Sequence, residues 1–272
     1  MKKNIIFVWV QNPLHAKENE YWGIGDVIYG ILCSNYICEK LNYNFYIDFS
    51  KHPISKYLVK NEHPFQQQVN EQKRINMCWY LEDKLKNTNS NLTMIFCVGC
   101  NTIKKNDREL FLNKYVTKNI IDYLNKILIP NEEVTKLIDE HRMKLKIQEK
   151  YNIFHFRLGD NELVKKNKEN AKKKKNELIK IYEKYKKDNE IVISDSKYIK
   201  KVLKFRQNAN IIEFNDLGHF GIHSDIGIRN SLIEFFLCMD AQSIQTYCNM
   251  SHISGFVRYA SLLKNIKLKV IN

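Results

Sequence analysis

The sequence predicts an α/β protein of two halves, each a parallel sheet covered by helices, with the two halves facing a central cleft. Three observations carry this. Short apolar runs rich in Ile, Val and Phe alternate with segments of helical periodicity, as expected of parallel strands buried on both faces. The alternation occurs in two sets of similar length, divided near Lys150, which gives halves over 1–150 and 151–272. Glycine is scarce, nine in 272 residues, and three of them cluster in Gly23–Gly30, after the first apolar run.

In the first half, Asn4–Val10 reads as a strand. It imitates a signal peptide after Lys2 and Lys3, but Gln11-Asn12-Pro13 follows with no small-residue cleavage site. Asp26–Leu41 reads as a helix, Asn44–Phe49 as a second strand and Leu92–Val98 as a later one, with Asn61–Lys73 a polar loop. Glu109–Leu128 and Val134–Lys150 read as helices on either side of Pro130, a helix-start residue. The second half begins with a strand at Tyr151–Arg157. A lysine-rich helix follows, then a strand at Glu190–Ser194, a helix at Lys197–Phe205 and a strand at Asn210–Phe214. After a loop at Asn215–Gly227 come a helix at Ile228–Met239, a strand at Ser243–Tyr247 and a helix at Ser254–Lys264.

Composition narrows the function. With 44% hydrophobic residues the chain is no disordered tail, and no apolar stretch approaches the ~18 residues of a membrane span. The net charge of +14 invites a nucleic-acid reading, but lysine dominates arginine and much of the excess lies in Lys165–Lys187, which reads as a solvated helix face. Nucleic acid is therefore not the expected partner; the basic surface suits nucleotide phosphates or an acidic glycan. Seven cysteines, an odd number in mostly apolar segments, suit reduced thiols and a cytoplasmic location. Cys97 and Cys100 share the one close spacing, which leaves a redox dithiol as a rival reading, and no second pair completes a zinc site.

Candidate chemistry lies after strands, where ligands bind in parallel α/β sheets. Gly23 and Gly25 can adopt positive φ and open a helix N-terminus to an anion, and Asp26 either caps that helix or serves as a base. In His155-Phe156-Arg157-Leu158-Gly159-Asp160, His155 and Arg157 share one face of a strand and Phe156 the other. Arg157 at the strand tip can clasp a phosphate, Gly159 allows a sharp turn, and Asp160 can fix the guanidinium or the next helix. An Arg–Asp structural pair with a packed histidine is the alternative. Asp195 and Ser196 follow a strand, and either can cap the next helix. Ser251, Ser254 and Gly255 open the last helix and suit a diphosphate. Glu234 can accept two hydrogen bonds from a guanine edge, or simply face solvent. His219, His223 and Asp225 share a loop without a third strong metal ligand, and no Asp-x-Asp occurs anywhere, so no metal is expected.

Taken together, these segments resemble the fucosyltransferase superfamily of GT-B fold, which includes α1,6-, α1,2- and protein O-fucosyltransferases. Gly23–Asp48 is similar to its first donor-side motif, and His155–Asp160 to its His-x-Arg-x-(Gly/Thr)-Asp motif. Ser194-Asp195-Ser196 is similar to its strand-end acidic motif, and Arg229–Ser254 to its closing segment. The stretch from Lys51 to Lys150 matches none of them. The resemblance implies a minimal bacterial or viral catalytic unit with two Rossmann-like domains, the first for the acceptor and the second for the nucleotide sugar. It implies that Arg157 holds the donor β-phosphate, Ser254 and Gly255 the diphosphate, Asp195 the nucleoside and Glu234 the guanine. The implied reaction is inverting and metal-independent, from a nucleotide sugar, GDP-fucose foremost, to a glycan hydroxyl, with no cofactor. Asp26 is the first candidate base, then Asp160, then His155. Asn161 stands where the α1,6 enzymes carry Lys, and Lys165 where they carry Glu, which leaves linkage and base open. UDP-xylose is the alternative donor, and a basic non-catalytic nucleic-acid-binding protein the alternative of another class.

Overall fold

The computed structural model describes residues 2–10, 23–66, 73–76, 80–96, 108–147, 149–159, 168–214, 217–218, 220, 224–250 and 252–271. By contact the chain divides into two units. Unit 1 holds Met1–Ile129 with Phe220–Ile222, and unit 2 holds Pro130–His219 with His223–Asn272.

Unit 1 is built on four parallel strands, β1 (Asn4–Val8), β2 (Asn44–Asp48), β3 (Lys73–Asn76) and β4 (Leu92–Phe96), in the order β2-β1-β4-β3. The apolar run after Lys3 is thus a central strand, with Ile5 to Val8 fully buried. Helix α1 (Ile24–Lys40) starts two residues earlier than expected. Its cap, Gly23, has φ −64° and ψ 153°, and Gly25 lies inside the helix, so neither glycine uses positive φ. Strand β3 and helix α2 (Leu81–Lys86) lie where no element was expected, because both are short and polar. The helix expected over Glu109–Leu128 is two, α3 (Arg108–Tyr115) and α4 (Lys118–Ile127), broken at Val116-Thr117, with Thr117 the N-terminal flank of α4. Phe220 completes this core: its carbonyl accepts from His52 Nε2 at 3.0 Å, and its ring lies 6.4 Å from that of Trp9.

Unit 2 starts at Pro130, before the expected boundary at Lys150. Helix α5 (Glu132–Lys144) packs on α9 (Asp225–Met239), joined by Glu133 to Arg229 at 2.8 Å. Five parallel strands follow: β5 (Asn152–Arg157), β6 (Glu190–Ser194), β7 (Asn210–Ile211), β8 (Ser243–Cys248) and β9 (Lys267–Ile271). Their order, β7-β6-β5-β8-β9, is the 3-2-1-4-5 order of a doubly wound nucleotide-binding sheet. Phe154 and Phe156 face one layer, packing with Leu178, Tyr182, Ile199 and Leu203 from α7 (Lys175–Tyr185) and α8 (Lys197–Gln207), which follow the short α6 (Glu169–Lys173). His155 faces the other, where its ring stacks 6.3 Å from Phe256 of α10 (Gly255–Lys264). Strand β7 is shorter than the expected Asn210–Phe214. Strand β9 was not expected, since its alternating lysines suit a sheet edge.

Candidate functional site

In unit 2 the chain leaves β5 toward β6 and β7, then returns to β8 on the other side. The loops at the carboxyl ends of β5 and β8 therefore diverge and open a crevice, the position where such sheets bind ligands. Arg157 is the last residue of β5 and pairs in register with Cys248 of β8, placing it at that switch point. Its carbonyl accepts from Asn249 N at 2.9 Å, which ties the β8–α10 loop to the strand tip.

The register on the other side sets the guanidinium. Phe156 pairs with Ser194, so the next residue, Asp195, comes level with the end of β5. Arg157 Nη1 donates to Asp195 Oδ2 at 2.7 Å. The same carboxylate accepts from Leu158 N, at 2.9 Å to Oδ1, and from Gly159 N, at 2.8 Å to Oδ2. Turning two successive amides onto one carboxylate bends the chain sharply, and Gly159 meets the bend with φ +117°. A side chain there would meet no atom within 4 Å, so the requirement for glycine is backbone strain alone. Burial raises the Asp195 carboxyl above the ordinary carboxylate value, opposed by the Arg157 charge and the two amides. The guanidinium carries five donors in a fixed fork and its side chain keeps 14% exposure, so Asp195 presents an oriented cation at the crevice.

Asp195 holds the guanidinium, a role the sequence did not give it; Asp160, expected to fix the guanidinium or the next helix, lies outside the described residues. Both Asp195 oxygens are engaged by protein donors. Ser196, not Asp195, caps α8, with its Oγ accepting from Ile199 N at 3.4 Å.

His155 is 4% exposed, and its Nδ1 lies 2.9 Å from Thr246 Oγ1. Burial, and secondarily the Arg157 charge, pushes its pKa down to about 3, so it is neutral and walled off from an acceptor. It is the packed histidine of the alternative reading, and its stack on Phe256 seats the first turn of α10. Ser254 flanks that turn, buried, with its side chain making no cap bond, and Gly255 is the first helical residue. The helix end directs its positive dipole at the crevice. Ser251 lies outside the described residues, as do Cys97, Cys100, His219 and His223.

Glu234 does not face solvent. It is 3% exposed, and its Oε1 accepts from Lys200 Nζ of α8 at 2.6 Å. Burial raises the Glu234 carboxyl, opposed by Lys200. Cys248, which the sequence gave no reason to single out, is half-buried at the crevice within the field of Arg157 and Asp195. Strand pairing alone brings it there. In unit 1, Asp26 lies in the first turn of α1, partly exposed, where its charge favours the helix dipole and its amide donates to the Gly23 carbonyl at 3.0 Å. Among the described residues no group of three His, Cys, Asp or Glu is placed to hold a metal, and no helix is long and apolar enough to cross a membrane.

Solved structures of the fucosyltransferase NodZ share the fold of this chain over nearly its whole length. The α1,6-fucosyltransferase NodZ soaked with GDP-fucose superposes with a TM-score of 0.53 at 13% identity, covering 97% of this chain and 93% of that one. Fucosyltransferase NodZ from Bradyrhizobium superposes with the same TM-score and coverage at 12% identity, as does NodZ co-crystallised with GDP. At this identity the likeness is one of fold, and the fold is GT-B-like, with two Rossmann-like α/β units. No protein-family model and no curated protein matches the sequence.

Proposed function

We propose that this chain is a glycosyltransferase that moves L-fucose from GDP-fucose to a glycan hydroxyl. The observation that carries the reading is Arg157, held by Asp195 at the switch point of a 3-2-1-4-5 sheet, in a fold shared with an enzyme whose structure was solved after soaking with GDP-fucose. In the proposed reaction the acceptor oxygen attacks the sugar's anomeric carbon from the face opposite the diphosphate. The bond from that carbon to the β-phosphate oxygen breaks, GDP leaves, the configuration inverts, and the acceptor proton passes to a base. Charge grows on the diphosphate as it departs. Arg157 and the N-terminus of α10 are the groups assigned to stabilise it. Of the candidate bases, buried neutral His155 is the poorest and Asp26 remains the first. The four described cysteines are thiols rather than disulfides, which supports a cytoplasmic site of action.

A thermal-shift panel tests the donor. GDP and GDP-fucose should raise the melting temperature, while UDP-xylose and dTDP-sugars leave it unchanged, since only a ligand of the native state stabilises it. A shift with UDP-xylose alone replaces the donor; a shift with none removes the reading. The proposed route needs no divalent cation, so transfer should survive excess EDTA. Loss of transfer there, restored by Mg²⁺ or Mn²⁺, would bring a metal into the diphosphate site.

A further inference from the structure

The end of unit 2 opposite the crevice carries an unusual surface. Phe205, in the last turn of α8, is 91% exposed. Helices α7 and α8 both follow their strands' reverse direction, so their carboxyl ends lie together at the amino edge of the sheet. Gln207 Nε2 donates to Glu183 Oε1 at 2.7 Å and joins them there. This edge exposes Lys204 and Arg206 beside Phe205, Lys184, Lys186 and Lys187 at the end of α7, and Lys267 at the start of β9. The carboxylates among them are Glu183, Asp188 and Glu213, and Glu213 is taken by Lys204 at 3.2 Å. Lys184 and Lys269 pair with no carboxylate among the described residues; both ammonium groups sit over the Tyr185 ring, at 5.0 and 4.8 Å. Helix dipoles favour cations in the last turns of α7 and α8. They extend to Lys186 at the C-cap of α7, and Lys187 Nζ donates to Ser243 Oγ at 2.9 Å, but they account neither for Lys267 on β9 nor for a fully presented Phe205.

We propose that this edge docks the protein on an anionic membrane surface, with Phe205 as the apolar wedge and the lysines as the headgroup contacts. The charge complementarity points to lipid rather than nucleic acid. Lysine is a point charge suited to diffuse headgroup charge, whereas arginine forks and open aromatic faces mark nucleic-acid grooves. Here arginine is the minority, and the Tyr185 ring is already covered by two ammonium groups. An apolar side chain beside several lysines is the pairing that holds peripheral proteins at an interface. Docked this way, unit 2 would turn its crevice away from the bilayer. The inference does not depend on which reaction the protein performs.

Flotation of the full chain with vesicles tests it. Vesicles of phosphatidylcholine with about a third phosphatidylserine should retain the protein roughly tenfold better than phosphatidylcholine alone, and less as salt rises. Phe205→Ser, and separately Lys184→Glu with Lys186→Glu, should each cut retention about tenfold at unchanged melting temperature. Equal recovery on neutral vesicles overturns the proposal, as does retention unaltered in Phe205→Ser. Transfer of the protein from vesicles to a single-stranded RNA competitor, with Phe205→Ser binding RNA as well as the parent, overturns it in favour of nucleic acid.

Discussion

Asp195 accepts from Arg157 and from two successive amides, so removing the guanidinium leaves the carboxylate still bonded at Leu158 and Gly159. Arg157→Ala should therefore fold. A bond that strengthens as the leaving group gains charge contributes to the rate above all, and its loss should lower kcat/KM about a hundred- to a thousandfold. Steady-state kinetics beside a melting curve check this; a folded Arg157→Ala protein with near-normal turnover would give the pair a purely structural role. Arg157 itself was legible in the sequence, because an arginine ending an apolar strand before a glycine is a local pattern. Its partner was not. Asp160 is nearer in the chain, and only the pairing of β5 with β6 brings Asp195 to the guanidinium.

At the scale of the element, β6 shows how burial sets pH behaviour. Glu190 opens that strand, 2% exposed, against Tyr182 and Gln245. Burial raises its pKa from 4.5 to about 7, opposed by Lys187 and by hydrogen bonds from Gln245 and Tyr182. A carboxyl with a raised folded pKa adds stability that is full below the unfolded value and lost as pH rises through the folded one. Between about pH 4.5 and 7 this one group should cost on the order of 3 kcal/mol of stability. Glu190→Gln should flatten that slope and melt higher than the parent at pH 8; urea unfolding of both proteins at pH 5 and pH 8 measures it. Strand β6 was legible to the residue because its centre, Ile191-Val192-Ile193, is a continuous apolar run, as in buried parallel strands. Strands β3 and β9 were not: β3 is short and polar, and β9 is an edge whose lysines break the pattern. Helices α3 and α4 read as one because apolar periodicity runs across Val116-Thr117, and only the β-branched pair hints at a break.

At the scale of the whole molecule, the chain forms two units with separate parallel sheets, and the proposed chemistry is divided between them. Arg157, Ser254 and Gly255 belong to unit 2, and Asp26 to unit 1. Donor binding and proton removal should therefore separate by mutation. An acceptor hydroxyl is a poor nucleophile, so its transfer benefits from a carboxylate that takes the proton in the transition state. Asp26 sits in the first turn of α1, where its amide donates to the Gly23 carbonyl at 3.0 Å; asparagine keeps that bond and a side-chain oxygen, and loses a favourable charge near the helix dipole, worth about 0.3–1 kcal/mol. Asp26→Asn should keep its melting temperature within a few degrees and bind GDP with unchanged affinity by calorimetry. Its kcat should fall about a hundredfold or more with KM for the donor unaltered, the pattern of a group that acts only in the transition state. If Asp26→Asn turns over normally while Asp160→Asn does not, the base belongs to unit 2, and donor binding and proton removal share one sheet.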